Sequence, residues 1–514
     1  MMESLRPRAI FMAFGTKGDV FPIAAIAAAF ALDQPHYNVV FVTHSAHQSL
    51  DVHLGGKGVA FMPISTPPVL SVHQASTCAD SELQSFSTRK KMIRTQHRQE
   101  CLSADSESMP GDFIVINFFA LEGWSLAELY QVQCVVAAPY VLPYSAPSSF
   151  ERQFRHEFPL LFKYFQEAPA EKVSWKDVQH WMWPLFSEDW GSWRSDCLNL
   201  SPLPFMDPVT NLPMWHMRAQ SPLLLYGFSK KIVECPGYWP SNVHVCGFWF
   251  LPVEWQFSCD RCREIVPSHS HEYPIKKSLL CADHSDLYHF LGKTSSPGLP
   301  IFIGLSSIGS MGFFQNPRAF LLVLKAVIDS TGYRFILFSA GYEPLDAAIQ
   351  MTADGSSNST KLQHSMYCKH LLFNDCLFCF SGTLPYSWLF PRCAVVIHHG
   401  GSGSTAAALY AGTPQIICPF ILDQFYWAER LYWLGVAPEP LRKAQLVPDS
   451  EDARSIKQAG DALSAAIKHA LSPEMKDQAS RVSERISSEA GVDEVLKILR
   501  DNVVHPHKGE ECIV

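Results

Sequence analysis

The stretch VVIHHGGSGSTAAALYAGTPQIICPFILDQ runs from Val395 to Gln424. An apolar run, AVVI, ends in His398-His399 and a turn built from Gly400, Gly401, Ser402 and Gly403. An alanine-rich segment follows and closes on Gly412, placed as a helix C-cap. A second apolar run, PQIICPF, then leads to Asp423-Gln424. The order is strand, glycine turn, helix, strand, polar loop. Glycines let a backbone approach a ligand without a Cβ in the way. Free N–H groups at a helix start attract an anionic oxygen. The hydroxyls of Ser404 and Thr405 and the ring of His399 add donors. The competing reading is a tight turn with no ligand. The order is not G-x-G-x-x-G, and no Walker lysine follows, so nicotinamide cofactors and P-loop nucleotides fit poorly. Asp423 and Gln424 lie just past a strand, where open α/β sheets bind ligands, and offer acceptors for sugar hydroxyls.

Working outward, PIFIGLSS (300–307), YRFILFSA (333–340) and CLFCFSG (376–382) read as further strands of the same sheet. Near the N-terminus AIFMAF (9–14), VVFVTH (39–44), DFIVIN (112–117) and CVVAAP (134–139) read the same way. Each is apolar on both faces, as a parallel sheet covered by helices requires. The expected fold is α/β, with two doubly wound, Rossmann-like parallel sheets facing across a cleft. The expected division is 1–250, a linker 251–298, a second domain 299–475, and a C-terminal helix and tail 476–514. The first strand opens into FGTKGDVFP (14–22). There Gly15, Thr16 and Gly18 shape a turn and Asp19 falls near a helix start. Asp19 is either an N-cap or a general base.

The chain has 514 residues, 47% hydrophobic and 18% charged, with a net charge of -8. That is a globular composition and argues against nucleic acid as a partner. The basic cluster Arg89, Lys90, Lys91, Arg94 and Arg98 is read as a solvated face. No apolar run approaches the ~20 residues that span a bilayer, and no signal-peptide pattern is read. Fifteen scattered cysteines suggest a reducing compartment, so the expected location is cytoplasmic. Nine of the 13 tryptophans lie between Trp175 and Trp255. They read mainly as core, with some lining a cavity for a flat apolar ligand. Cys259-x2-Cys262 and Cys281-x2-His284 have zinc-like spacing, with His269 and His271 between them. A structural zinc is weighed there against free thiols and surface histidines.

Two stretches resemble a known family. GTKGDVFP and the span Leu384–Leu441 are similar to the acceptor-side loop and the donor signature of the GT-B UDP-glycosyltransferases, closest to the sterol glucosyltransferase branch. The resemblance implies an inverting transferase that moves glucose from UDP-glucose to a hydroxyl of an apolar, sterol-like acceptor without a metal. His399, Gly401, Ser402, Ser404 and Thr405 would hold the diphosphate, Asp423 and Gln424 the sugar, and Pro385 and Tyr386 would border the uracil. Asp19 would be the catalytic base. The usual Gly-Phe-Gly-Ser-Met turn reads GLSSIGSM, which makes Ser307 the best match and Ser310 the alternative register. The usual Pro-His-Asp-Trp reads Pro385-Tyr386-Ser387-Trp388. The long N-terminal lipid-binding region that some of this branch carry is not found in these residues. Membrane recruitment is therefore expected to differ, with at most peripheral contact. Alternatives are a terpenoid or phenolic acceptor, or a non-catalytic UDP-sugar or lipid-binding protein on the same fold.

Overall fold

In the first sheet of the computed structural model, Arg8–Met12 (β1) lies between Asn38–His44 (β2) and Phe113–Ile116 (β4). The structure describes residues 6–68, 92–101, 111–142, 145–265, 280–293, 298–340, 342–355, 360–361 and 369–505. Arg89, Lys90, Lys91, His269 and His271 lie outside them.

The sheet is completed by Val59–Ile64 (β3), Gln133–Ala138 (β5), Leu223–Tyr226 (β6) and Val243–Val245 (β7), in the order β3-β2-β1-β4-β5-β6-β7. Every pairing is parallel. The chain runs outward from β1 to β3, then returns to β4 on the other side of β1. The strand order therefore reverses between β1 and β4. The helix Lys17–Asp33 follows β1 and is apolar almost all round, with Val20, Ile23, Ala24, Ile26, Ala27 and Phe30 buried. Its alanines allow close approach to the sheet.

The second sheet holds Ile301–Gly304 (β8), Phe335–Phe338 (β9), Thr360–Lys361 (β10), Lys369–Leu372 (β11), Leu377–Phe380 (β12), Val395–His398 (β13) and Gln415–Ile417 (β14). Its order is β10-β11-β12-β9-β8-β13-β14, parallel except at β10 and β11. Here the reversal falls between β8 and β13. Alternate residues of one strand serve different cores. Ile301 and Ile303 pack on one face, Phe302 on the other; Val395 and Ile397 divide from Val396 in the same way. Burial on both faces is the physical reason these strands read as unbroken apolar runs.

The chain forms two compact units, Met1–Phe250 with Glu489–Val514, and Leu251–Ser488. The segment read as a linker is part of the second unit. Val253, Phe257, Cys262, Leu287 and Phe290 pack beside Phe302, Phe378 and Phe380. The C-terminal segment returns to the first unit, where the Arg500 guanidinium meets Asp33 at 2.6 Å.

Five of the nine clustered tryptophans, Trp181, Trp190, Trp193, Trp249 and Trp255, are buried. Core packing is thus their main role. Arg98, expected on a solvated face, is buried instead, with its guanidinium 4.4 Å from the Trp190 ring centre. Its planar cation stacks on an aromatic face that a charge run cannot reveal. Arg94 pairs with Glu188 at 3.4 Å. Arg194 is buried and fully engaged. It donates to Ser201 O (2.8 Å), Ser125 Oγ (2.9 Å) and both oxygens of Glu128 (2.9 and 3.0 Å). Ser125 and Glu128 lie on the helix Glu122–Tyr130, so Arg194 ties the tryptophan-rich region to it. Among the described residues, no helix is long and apolar enough to cross a membrane.

Candidate active site

β8 and β13, the neighbours at the reversal of the second sheet, end in the two turns that matter most. Ligands of open α/β sheets sit beyond the strand ends at such a point. After β8, Ser307 lies in the short helix Ser306–Ser310, with its Oγ 3.4 Å from His399 Nε2. Ser310, the alternative register, donates back to Ser306 O at 3.1 Å. The Ser307 hydroxyl therefore faces the histidine turn and that of Ser310 is turned into its own helix.

After β13 the two histidines divide their work. His398 is 1% exposed and fully bonded. Its Nδ1 accepts from Gly400 N at 3.0 Å, so the proton sits on Nε2, which donates to Gln415 Oε1 at 2.8 Å. His398 and Gln415 position the turn. Burial holds the His398 ring neutral, its pKa lowered to about 4. His399 is pushed down to about 3, by burial first and then by His398. In the free protein it is a neutral donor, and positive potential at the turn comes from the helix end.

Gly400 has φ +90°, and the turn packs against the next loop. A Cβ there would stand 2.9 Å from Ile417 Cγ2 and 3.1 Å from Gln424 O. Gly400→Ala is expected to cost about 1–3 kcal/mol in backbone strain. It should also separate the two loops. A lowered melting temperature together with weakened nucleotide-sugar binding checks this; unchanged binding would show that the turn has no ligand role.

Gly401 precedes the helix Ser402–Ala411, whose first N–H groups have no partner within the helix. Ser402 and Ser404 are partly exposed in its first turn. Ser404 shares a hydrogen bond with the Tyr386 hydroxyl, and burial raises that phenol to about 12. The Tyr386 ring stacks on Phe390 with centres 4.4 Å apart. Pro385 is buried at the start of the helix Tyr386–Leu389. Thr405 departs from the sequence reading. It is 0% exposed, and its hydroxyl is buried with no hydrogen-bond partner among the described residues.

Gln424 also differs. Its Oε1 accepts from Phe420 N (2.9 Å) and Ile421 N (3.2 Å), so only its amide nitrogen is left to meet a sugar hydroxyl. Asp423 is partly exposed and accepts from Trp427 Nε1 at 3.1 Å.

The first unit presents its own loop at the reversal between β1 and β4. Asp19 is not the N-cap of the helix Lys17–Asp33. Thr16 is the cap, and Asp19 reaches back from the third helical position. Its Oδ2 accepts from Thr16 N (2.7 Å) and Thr16 Oγ1 (2.8 Å). Gly15, at φ +108°, leaves room for this carboxylate, since a Cβ would lie 2.7 Å from Oδ2. Gly18 sits exposed in the first helical turn. Desolvation raises the Asp19 carboxyl to about 6, although the two Thr16 bonds oppose the shift.

Two supports of this loop were missed in the sequence. Asn117, buried at the end of β4, donates to Phe14 O (2.8 Å) and Asp19 O (3.2 Å) and accepts from Phe14 N (3.2 Å). His47 Nε2 meets Gly15 O at 2.9 Å. The signal for Asn117 was a lone polar residue closing an apolar strand. Beside it, Phe118 and Trp183 pack at 6.2 Å, and Phe119 is exposed.

Residues 379–501 match the family described as Erythromycin biosynthesis protein CIII-like, C-terminal domain. Sequence likeness runs further. The chain is 24% identical to sterol 3-beta-glucosyltransferase UGT80B1 of Arabidopsis thaliana over 95% of this chain and 66% of that protein. It is 26% identical to the sterol 3-beta-glucosyltransferase of Debaryomyces hansenii over 95% of this chain and 26% of that protein. The chain therefore spans less than two thirds of either relative. In fold it is similar to the calicheamicin glycosyltransferase CalG4, with TM-score 0.55, 13% identity, and 96% of this chain and 98% of that chain covered. A glycotransferase of kitacinnamycin gives TM-score 0.53, with 96% and 99% covered. Both are GT-B structures, and this chain has that fold. The likeness runs through both units and is not confined to the glycine turn, so the chain is similar over nearly its whole length to sterol glucosyltransferases of the UDP-glycosyltransferase type.

Proposed function

We propose that the protein is an inverting glycosyltransferase that moves glucose from UDP-glucose to the hydroxyl of an apolar acceptor, a sterol in the first instance. The observation that carries this reading is the grouping at the ends of β8, β13 and β14. Ser307, His399, the Gly401 helix start and the Asp423-Gln424 loop converge there. A neutral histidine, serine hydroxyls and unpaired helix N–H groups suit an anionic diphosphate. A carboxylate and an amide nitrogen one loop away suit a sugar. The names of the sterol-specific relatives support the acceptor class.

In the reaction, the acceptor oxygen forms a bond to the anomeric carbon as the bond from that carbon to the diphosphate oxygen breaks. The electron pair leaves on UDP, and the acceptor proton passes to Asp19. The helix start at Ser402 stabilises the charge that develops on the leaving diphosphate. Lining up the roles in this way requires no metal ion in the chemistry. Ser402 and Ser404 would share the diphosphate with His399, and Pro385 and Tyr386 would border the base. Thr405 would act from beneath by packing.

The test is incubation of the purified protein with UDP-glucose and a panel of sterols, terpenoids and flavonoids. The readouts are UDP release and a new glucoside. A sterol glucoside is the expected product. Product on another acceptor class alone would overturn the sterol assignment and keep the reaction. UDP-glucose binding with no product on any acceptor would favour a non-catalytic binding protein.

A further inference from the structure

A second chemical site lies in the second unit, away from the glycine turn in sequence. Cys259 and Cys262 flank the start of the helix Asp260–Ile265, and Cys281 and His284 precede the helix Ser285–Gly292. Cys259, Cys262 and His284 are buried and Cys281 is partly covered. One ligand atom from each lies within 4.8 Å of all the others.

The individual separations are more telling. Cys259 Sγ is 3.7 Å from Cys281 Sγ. His284 Nδ1 is 3.5 Å from Cys281 Sγ and 3.6 Å from Cys262 Sγ. A tetrahedral ion with metal–sulfur bonds of about 2.3 Å and a metal–nitrogen bond of about 2.05 Å has edges of about 3.8 Å between sulfurs and about 3.6 Å from sulfur to nitrogen. These three separations match those figures closely. A disulfide, by contrast, needs sulfurs about 2.05 Å apart. The backbone N–H of Cys281 also points at Cys262 Sγ, at 3.3 Å, the kind of bond that favours a thiolate.

We propose that Cys259, Cys262, Cys281 and His284 bind a structural zinc ion, through three thiolates and His284 Nδ1. The imidazole proton then sits on Nε2. Four protein ligands close the coordination sphere, so no position is left for water or substrate. The ion would join two segments whose nearest ligands, Cys262 and Cys281, are 19 positions apart in sequence. It would also reach the donor side indirectly. Ser258, next to the first ligand, donates to Thr383 O (3.1 Å) and accepts from Thr383 N (2.8 Å). The His284 ring packs edge-on to Phe380 at 5.8 Å. Phe380 and Thr383 lead directly into Pro385 and Tyr386. The zinc cluster is thus placed to position that loop.

The test uses the full chain purified without chelator, with metal content measured by mass spectrometry. One zinc per chain is expected, falling to none in Cys262→Ser/His284→Ala. Replacing zinc with cobalt in the unsubstituted chain should give the visible absorption of a tetrahedral cobalt–thiolate centre. Stripping with chelator should lower the melting temperature, and zinc, but not magnesium, should restore it. The cobalt spectrum decides the matter even if the double variant does not fold. A chain that contains no zinc and gives no such spectrum would overturn the proposal. So would unchanged zinc content in a folded double variant. None of these readouts depends on glycosyl transfer.

Discussion

Asp19→Asn is expected to lower kcat about 10²–10⁴-fold, the usual range for loss of a general base. Asparagine keeps the oxygen that accepts from Thr16 N and Thr16 Oγ1, so the helix start survives. It loses only basicity. Asp19→Ala would remove both bonds to the capping Thr16 as well and confuse the two effects. Nucleotide-sugar binding, which we assign to the second unit, should be unchanged. The pH profile gives an independent check. Only the ionised carboxylate accepts a proton, so kcat/KM should fall about tenfold per pH unit below about 6 and level off above it. The variant should lack that acid limb. Stability moves the opposite way. The Asp19 pKa is raised on folding, so its contribution favours the fold below its ordinary value of 3.8 and is lost as pH rises through about 6. At neutral pH the variant should therefore melt no lower than the parent. Near-normal turnover in Asp19→Asn would overturn the assignment of Asp19 as base.

Arg194→Met should lower stability by about 3 kcal/mol, at the lower end of the ~3–5 kcal/mol typical when one partner of a buried pair is removed. The side chain is long enough for methionine to fill much of its volume. What is lost is the charge and a set of bonds to Ser201, Ser125 and Glu128. Glu128 is left in a partly buried place where burial already raises its pKa, and Arg194 is the main opposing influence. Its side chain keeps 24% exposure, and partial rehydration is why the lower figure is expected. Arg194→Met/Glu128→Leu should recover most of the loss, because the orphaned charge is gone. Chemical denaturation followed by tryptophan fluorescence checks both. If the single variant were as stable as the parent, the aromatic packing alone would hold this region.

The parts of the molecule that could be read in sequence are those whose signal is local. β8, β9 and β13 announce themselves because both faces are buried, which leaves no polar alternation. The glycine turn after β13 is likewise confined to a few residues. Partners distant in sequence were not legible. Asn117 closes on a loop about a hundred positions away, and nothing beside it says so. His398 and His399 look alike in sequence; only the Gln415 bond separates the one that braces the turn from the one that faces Ser307. Arg98 was misread because a charged run resembles a wet surface until Trp190 is seen beneath it. The polar composition of 251–298 suggested a linker, while a few buried residues, Phe257, Cys262 and Phe290 among them, fix it to the second core.

The return of residues 489–505 to the first unit has a consequence for how the chain is made. Asp33 and Arg500 are 467 residues apart, and the ribosome adds about 5–20 residues per second. Asp33 therefore waits roughly 25–90 seconds for its partner to be synthesised. Over the same interval the second unit, which is one continuous segment, can emerge and fold. The earlier half of the first unit must remain incomplete meanwhile, with the face that will receive the helix Gly491–Leu499 uncovered. Birth order and assembly order are thus inverted. The unit begun first is the last to be finished, and its vulnerable period is set by the length of what is inserted within it.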